Sequence, residues 1–372
     1  MSVRSFVEAV LRLPAPAPAR GRRGLVLEAT LTRAWLRRGP LACVLWPLSL
    51  LFRVISGVRY HMYRCGLLRA TRLPVPVIVV GNIFIGGTGK TPLTIWLVHA
   101  LQQAGFKPGV ISRGHGSAER LPRLVTVMSS AQQVGDEPLL IARRSACPVM
   151  VGRDRAAAGR ALLQAHPELT ILISDDGLQH YALQRDLEIV LFDARGTGNG
   201  WCLPAGPLRE TAQRRRDFTV VNAPQLTPQL PKLLASVARL GVPTIQMELV
   251  GEFAERLSNR SERVALSVLA KPGVRIVAAA GIGNPGRFFA MLKSSGLRFA
   301  ELPLPDHHDF LDQPFAALAV DIILITEKDA VKCAQIETLN DDPRLWVVPV
   351  TARIDAAMAQ QIVEKCRGCS TA

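Results

Sequence analysis

The sequence predicts an α/β protein with a doubly wound parallel sheet, a second and smaller α/β domain, and an N-terminal membrane-associated helix. Three observations carry this expectation. From Val77 to about Asn222, short apolar β-branched runs alternate with segments of helical character. Runs of that kind, without polar alternation, belong to strands covered on both faces. A second alternating set extends from Thr244 to Val350, and a greasy, basic stretch precedes both. The 372 residues, 48% hydrophobic and 20% charged, describe a globular chain with room for two domains.

In chain order, residues 1–24 are rich in Pro, Ala and Arg and read as a disordered basic extension. Residues 25–68 form the membrane-associated helical segment. Within it Gly39–Phe52 gives 14 residues without charge, Arg53 interrupts, and Val54–Val58 continues the apolar run. Fourteen residues are too few to cross a bilayer, and the 20 counted through Arg53 are marginal. An interfacial or shallowly inserted helix fits, with Trp46 and Arg37, Arg38, Arg59 and Arg64 at headgroup level. No small-residue cleavage site follows, as a signal peptide would require. The net charge of +15, from 45 Lys and Arg against 30 Asp and Glu, suits an anionic membrane surface. With 5% aromatic residues and no recognisable nucleic-acid module, a nucleic-acid partner is not expected; nor is an obligate protein partner. The seven scattered cysteines point to a reducing compartment, and the lone Cys366–Cys369 pair lacks the second pair that zinc would need.

Residues 69–223 are the expected core, with strands at Val77–Val80, Pro108–Arg113, Val149–Gly152, Thr170–Ser174, Leu187–Phe192 and Phe218–Val221. The first run stops at Gly81 and is followed by a loop with Gly86, Gly87, Thr88 and Gly89, after which Lys90, Thr91 and Pro92 open a helix. Strand, glycine loop, Lys-Thr and helix in that order build a nest of backbone N–H groups for nucleotide phosphates. Lys90 would reach the β- and γ-phosphates and the Thr91 hydroxyl would sit on Mg²⁺. The usual first glycine of this P-loop is replaced by Phe84. Ligands of open α/β sheets bind beyond the carboxyl ends of the strands. Asp175 and Asp176 stand at such an end and are candidates for the metal side; His180, four residues on, for a phosphate contact. Arg113, at another strand end, is a candidate anion contact. Asp136 opens a helical segment and reads equally as its cap. The proline-stiffened segment Leu203–Glu210 ends in an Arg-Glu pair.

Residues 224–372 are the expected C-terminal α/β domain, entered through a linker at Pro224–Pro231. Its strands are placed at Thr244–Leu249, Val274–Ala280, Phe299–Leu304, Asp321–Thr326 and Leu345–Val350. Pro305–Asp309 carries adjacent histidines amid acids, suited to metal binding, proton transfer or a polar surface. Gly281–Gly286 with Glu301 matches the letter of a dinucleotide fingerprint, but Asn284-Pro285 reads as a turn starting a helix near Arg287.

Together these residues resemble the tetraacyldisaccharide 4′-kinase family from about Leu31 to Ala352. The resemblance rests on Val80–Pro92, Ser112–Gly114, Gly135–Pro138, Asp175–His180 and Gly198–Glu210, then Gly281–Phe289, Asp306–His308 and Thr326–Lys332. It implies transfer of phosphate from ATP, with Mg²⁺, to the 4′-hydroxyl of a tetraacyl glucosamine disaccharide 1-phosphate. It also implies action at the cytoplasmic face of the bacterial inner membrane. Carried over by residue, Asp136 becomes the catalytic acid/base, paired with His307. Asp175, Asp176, His180 and Glu210 match positions around Mg²⁺ and the phosphates, with Thr91 and Glu210 on the metal, Asn82 near the phosphates, and Phe84 an expected trait of the loop. Two other readings remain open from the residues alone. One is a soluble P-loop GTPase or ATPase acting in protein or metal-centre assembly; the other is a dinucleotide oxidoreductase built on Gly281–Gly286.

Overall fold

A computed structural model describes residues 35–114, 121–223, 234–235, 242–271 and 273–368. Residues 1–24 and the linker Pro224–Pro231 lie outside this set, as does Cys369. The chain divides into two compact units.

The larger unit is built on a nine-stranded sheet among the described residues. Its strands are β1 (Val77–Asn82), β2 (Pro108–Ser112), β3 (Arg123–Leu124), β4 (Val149–Val151) and β5 (Ile171–Asp175). These are joined by β6 (Leu187–Asp193), β7 (Phe218–Asn222), β8 (Thr244–Val250) and β15 (Thr351–Ile354). Their order across the sheet is β15-β8-β7-β6-β1-β5-β2-β4-β3. From β8 to β4 every neighbouring pair is parallel, and only the two-residue edge strand β3 runs antiparallel to β4. Strands β1, β2, β5 and β7 are buried along their whole length, which is why their sequences read as unbroken apolar runs. Because β1 lies between β5 and β6, the glycine loop leaving its carboxyl end sits at the middle of the sheet.

Helix α1 (Pro40–Arg64) precedes the sheet as one unbroken helix of 25 residues. Arg53 interrupts the charge-free run but not the helix, which is long and apolar enough to cross a membrane by length and composition. Its two faces differ. Val44, Leu48, Leu51, Ile55 and Val58 recur at helical spacing and are all exposed. On the other side Ala42 and Ser49 are buried, the Ser49 hydroxyl donates to the Cys202 carbonyl at 2.7 Å, and Tyr60 and Tyr63 meet Tyr181 edge-on or tilted.

The smaller unit holds a six-stranded sheet among the described residues. It comprises β9 (Phe253–Arg256), β10 (Arg263–Ala265), β11 (Ile276–Ala280), β12 (Ala300–Pro303), β13 (Ile322–Thr326) and β14 (Leu345–Val348), in the order β10-β9-β14-β13-β11-β12. Its two faces carry separate apolar clusters, one around Phe310 and Phe315, the other around Phe288 and Phe289. The helix after Gly281 begins at Pro285 and Glu301 pairs with Lys293 at 2.5 Å, so the fingerprint acid is engaged on the protein's own surface.

The partition differs from a boundary at residue 223. Strand β8 pairs in parallel with β7, β15 adds beyond it, and the terminal helix Ala356–Arg367 belongs to the larger unit, where Lys365 pairs with Asp217 at 3.2 Å. A run such as Thr244–Leu249 does not say which sheet its backbone will complete; β-pairing is decided by the edge that is open when the chain returns.

The larger core depends on Phe192, fully buried on β6 with the Arg216 guanidinium 5.3 Å from its ring centroid. Phe192→Ala is expected to cost about 3–5 kcal/mol, read as a lowered unfolding midpoint relative to wild type in the same detergent.

Candidate active site

The carboxyl ends of the parallel strands carry a row of buried polar side chains: Asn82 on β1, Ser112 on β2, Asp175 on β5, Asp193 on β6 and Asn222 on β7. Such groups are costly inside a protein without partners, and each has them. The Asn82 amide donates to the carbonyls of Phe84 at 2.6 Å and Gly86 at 3.2 Å, and its oxygen accepts from Lys90 Nζ at 3.1 Å. Asn222 donates to the Thr88 carbonyl at 2.8 Å. The two asparagines therefore shape the loop between Gly86 and Gly89 from below and fix its lysine. Gly86 and Gly89 adopt φ of +99° and +100°, which requires glycine. Helix α2 (Lys90–Gln103) starts at the lysine, with Thr91 and Pro92 in its first turn.

The loop is clamped from its other side by the segment that carries the Arg-Glu pair. Ile85 N–H donates to the Pro207 carbonyl at 3.0 Å, Phe84 bridges Leu208, and Arg209 N–H donates to the Ile83 carbonyl at 2.7 Å. This short ribbon brings the Arg209 side chain to Asp176, with Nη1 3.3 Å from Oδ2.

Beside it lies a cleft of about 300 Å³ whose lining includes Arg113, Asp136, Glu137, Asp175, Asp176 and Arg209. Asp136 is the first residue of a helix, α4 (Asp136–Ser145), and its carboxylate accepts from the Glu137 N–H at 2.9 Å. The cap position belongs to Gly135, so Asp136 is a buried acid in the first turn rather than the cap. Helix N-termini favour the ionised form of such a carboxylate. Asp175 is buried, accepting from Thr94 Oγ1 at 3.1 Å and, at 3.5 Å, from Ser112 Oγ. Burial, with the Glu137 carboxylate next in effect, pushes its carboxyl up to about 7 against the pull of Lys90. Asp176 has the opposite balance. Burial opposes its ionisation, but Lys90 at 3.7 Å and Arg209 overcome this and hold the carboxyl below its ordinary value. The four carboxylates of Asp136, Glu137, Asp175 and Asp176, with the cations Lys90, Arg113, Arg155 and Arg209 around them, offer hard oxygen donors in a cationic frame. Arg155 is itself buried and donates to the carbonyls of Asp175 at 3.0 Å and Gly152 at 2.8 Å.

The structure thus brings together Asn82, Lys90, Arg113, Asp136, Asp175 and Asp176. Two expected members have other occupations. Glu210 accepts from one Arg214 nitrogen, Nη1, at 2.8 Å to each carboxylate oxygen and from the Gln179 amide at 2.8 Å, while Arg214 Nη2 grips Glu188. His180 Nε2 accepts from the Arg155 backbone N–H at 3.3 Å, at the amino end of the helix Arg155–Ala165. His307 lies in the smaller unit at a φ of +61°, with Nε2 3.4 Å from Lys328 Nζ. Arg209, Glu137, Gln179 and Ser112 were not singled out by sequence reasoning; the Arg-Glu pair beside Leu208 was the only sign of Arg209.

A P-loop phosphotransferase of the doubly wound α/β class is what this sheet, loop and acidic cleft define. The chain belongs to the tetraacyldisaccharide-1-P 4′-kinase (LpxK) family, whose sequence model matches residues 41–367; its members are lipid kinases. It is 61% identical to the tetraacyldisaccharide 4′-kinase of Janthinobacterium sp. (strain Marseille), over 93% of this chain and 98% of that one. The enzyme of the same name from Herminiimonas arsenicoxydans is 58% identical, again over 93% and 98%. The crystal structure of LpxK from Aquifex aeolicus in complex with ATP superposes with a TM-score of 0.72 at 28% identity, covering 88% of this chain and 99% of that chain. The oxidoreductase and assembly-GTPase readings are set aside by these matches.

Burial, reinforced by the Arg155 guanidinium, lowers His180 from 6.5 to about 4. Between those values the unfolded chain binds a proton that the folded chain refuses. The stabilisation is therefore complete above pH 6.5 and is lost as pH falls toward about 4. Wild type is expected to lose more melting temperature between pH 7 and pH 5 than His180→Gln, in parallel thermal scans.

Proposed function

We propose that this chain transfers the γ-phosphate of ATP to the 4′-hydroxyl of a tetraacyl glucosamine disaccharide 1-phosphate at the cytoplasmic face of the inner membrane. The observation that carries the reading is the convergence of Asp136, Asp175 and Asp176 on one cleft, with the P-loop lysine reaching Asp176 at 3.7 Å. ATP follows from the loop and from the ATP complex of the Aquifex aeolicus relative.

Phosphoryl transfer asks for in-line positioning and neutralised charge. The N–H groups from Gly87 to Lys90 hold the β- and γ-phosphates, and the Lys90 ammonium, now on Asn82 and Asp176, turns to them. Arg209 adds a second cation beside the same acids. The sugar oxygen forms the new bond to the γ-phosphorus as the bond to the β–γ bridging oxygen breaks, and ADP leaves. Asp136, within the cleft, takes the hydroxyl proton as that bond forms.

The residues fit Mg²⁺: Asp175 is a buried carboxyl that burial drives toward its protonated form, which a hard dication at its oxygens would offset. Asp175, Asp176 and the Thr91 hydroxyl would hold it, and bound there it would neutralise charge on the β- and γ-phosphates. The lipid side is supported by α1, whose outward stripe from Val44 to Val58 suits acyl chains while Arg53 and Arg59 suit headgroups.

In a phosphate-transfer assay on the lipid disaccharide, Lys90→Ala and Asp136→Ala are each expected to lower kcat by about 10²-fold or more. Wild type without transfer would end the kinase reading; an active Asp136→Ala would remove only the base.

A further inference from the structure

The position of the missing first glycine holds a feature of its own. Phe84 is buried at 3% exposure, and the carbon of the Arg195 guanidinium lies 4.2 Å from its ring centroid. Arg195 stands just beyond β6, where Asp193 grips it: Nε at 3.1 and 3.0 Å from the two carboxylate oxygens, Nη2 at 2.6 Å from Oδ2. Asp193 is buried at 2% exposure, so the carboxylate is a fixed anchor. The guanidinium also covers Gly86. A Cβ built on that glycine would meet Nη1 at 3.6 Å and Nη2 at 3.9 Å, ordinary van der Waals contact. One planar group thus stacks on the residue that replaces the usual glycine and lies over the open side of the first positive-φ glycine of the loop.

We infer that Arg195 is a positioning residue for the phosphate-binding loop, holding Phe84 and Gly86 in the turn that the nest requires. An aromatic side chain at the start of such a loop has rotamers that would pull the backbone with it. Packing it in the core and covering its face with an anchored plane removes that freedom. The cation is matched by Asp193, so its contribution is geometry rather than net charge on the phosphates. A guanidinium that is both bidentate and stacked has no substitute in lysine, whose ammonium is a point charge. The inference rests on the P-loop being the ATP site.

The test uses the full chain in detergent, MgATP titrated at saturating lipid disaccharide, with equilibrium binding of ATPγS alongside. Arg195→Met is expected to raise KM for ATP and weaken ATPγS binding by about tenfold, with KM for the lipid and the ligand-free melting temperature unchanged. Arg195→Lys should match Arg195→Met, and Phe84→Leu combined with Arg195→Met should be no worse than the poorer single variant. An Arg195→Met enzyme within about twofold of wild type for ATP overturns the inference, as does full recovery in Arg195→Lys or multiplying losses in the double variant. Should Arg195→Met not fold, Arg195→Lys and Phe84→Leu decide by the same criteria. The underlying reading fails separately, through Lys90→Ala that binds ATPγS as wild type does.

Discussion

Burial of the Asp175 carboxyl at the end of the central strand β5 is the constraint around which the larger unit is arranged. A carboxylate in that position is unfavourable without partners, and the surrounding elements supply them. Helix α2 brings Thr94 and Lys90, β2 brings Ser112, and Arg155 ties the Asp175 carbonyl to the end of β4. Removing any of these leaves a group in the apolar interior underpaired. The unusual charge is therefore what sets the spacing of β2, β4, β5 and α2 at their ligand-binding ends, while the apolar faces below set only that the layers pack.

Much of this was legible in the sequence. Strands buried on both faces write themselves as β-branched runs, so every such run proposed from Val77 to Val350 is a strand. The glycine loop and the paired aspartates stood at strand ends, where a doubly wound sheet puts its ligands. What escaped was pairing. Nothing local in Thr244–Val250 says that it completes the first sheet, and β3, β9 and β10 are too short to show a period. Glu210 entered through the family resemblance, and His180 through that resemblance and its place four residues after the paired aspartates. Their partners in the structure, the Arg214 side chain four residues after Glu210 and the backbone N–H of Arg155 for His180, are not announced by either motif.

Helix α1 shows a related effect at the level of hydropathy. Counted by charge, Arg53 ends the apolar run. Counted by geometry, Arg53 falls one turn after Ser49, on the side away from the outward stripe and near Cys202, so it leaves that apolar stripe unbroken. The helix continues because its inward face meets Tyr181 and the Cys202 carbonyl through Tyr60, Tyr63 and Ser49. Among the described residues the outward stripe stays exposed, which fits the proposed lipid surface.

The glycine loop is held without any phosphate in it. Asn82 and Asn222 fasten its carbonyls from the sheet, the Pro207–Arg209 ribbon fastens Ile83–Ile85, and the anchored Arg195 covers Phe84 and Gly86. Apart from the Ile85 N–H, which donates to the Pro207 carbonyl, each contact uses a carbonyl, a ring or a glycine face of the loop. The N–H groups that a phosphate would need are not consumed by those contacts. A loop so restrained pays little ordering entropy when the nucleotide arrives, and that saving goes into affinity. A leading glycine would make the first turn sterically easy but leave it free in the absence of ligand. Phe84 reverses the balance: the turn needs outside support, and once supported it keeps one shape. The replacement is then coherent with the rest of the site, because Asp193 and Arg195 leave β6 at the point where that support is needed.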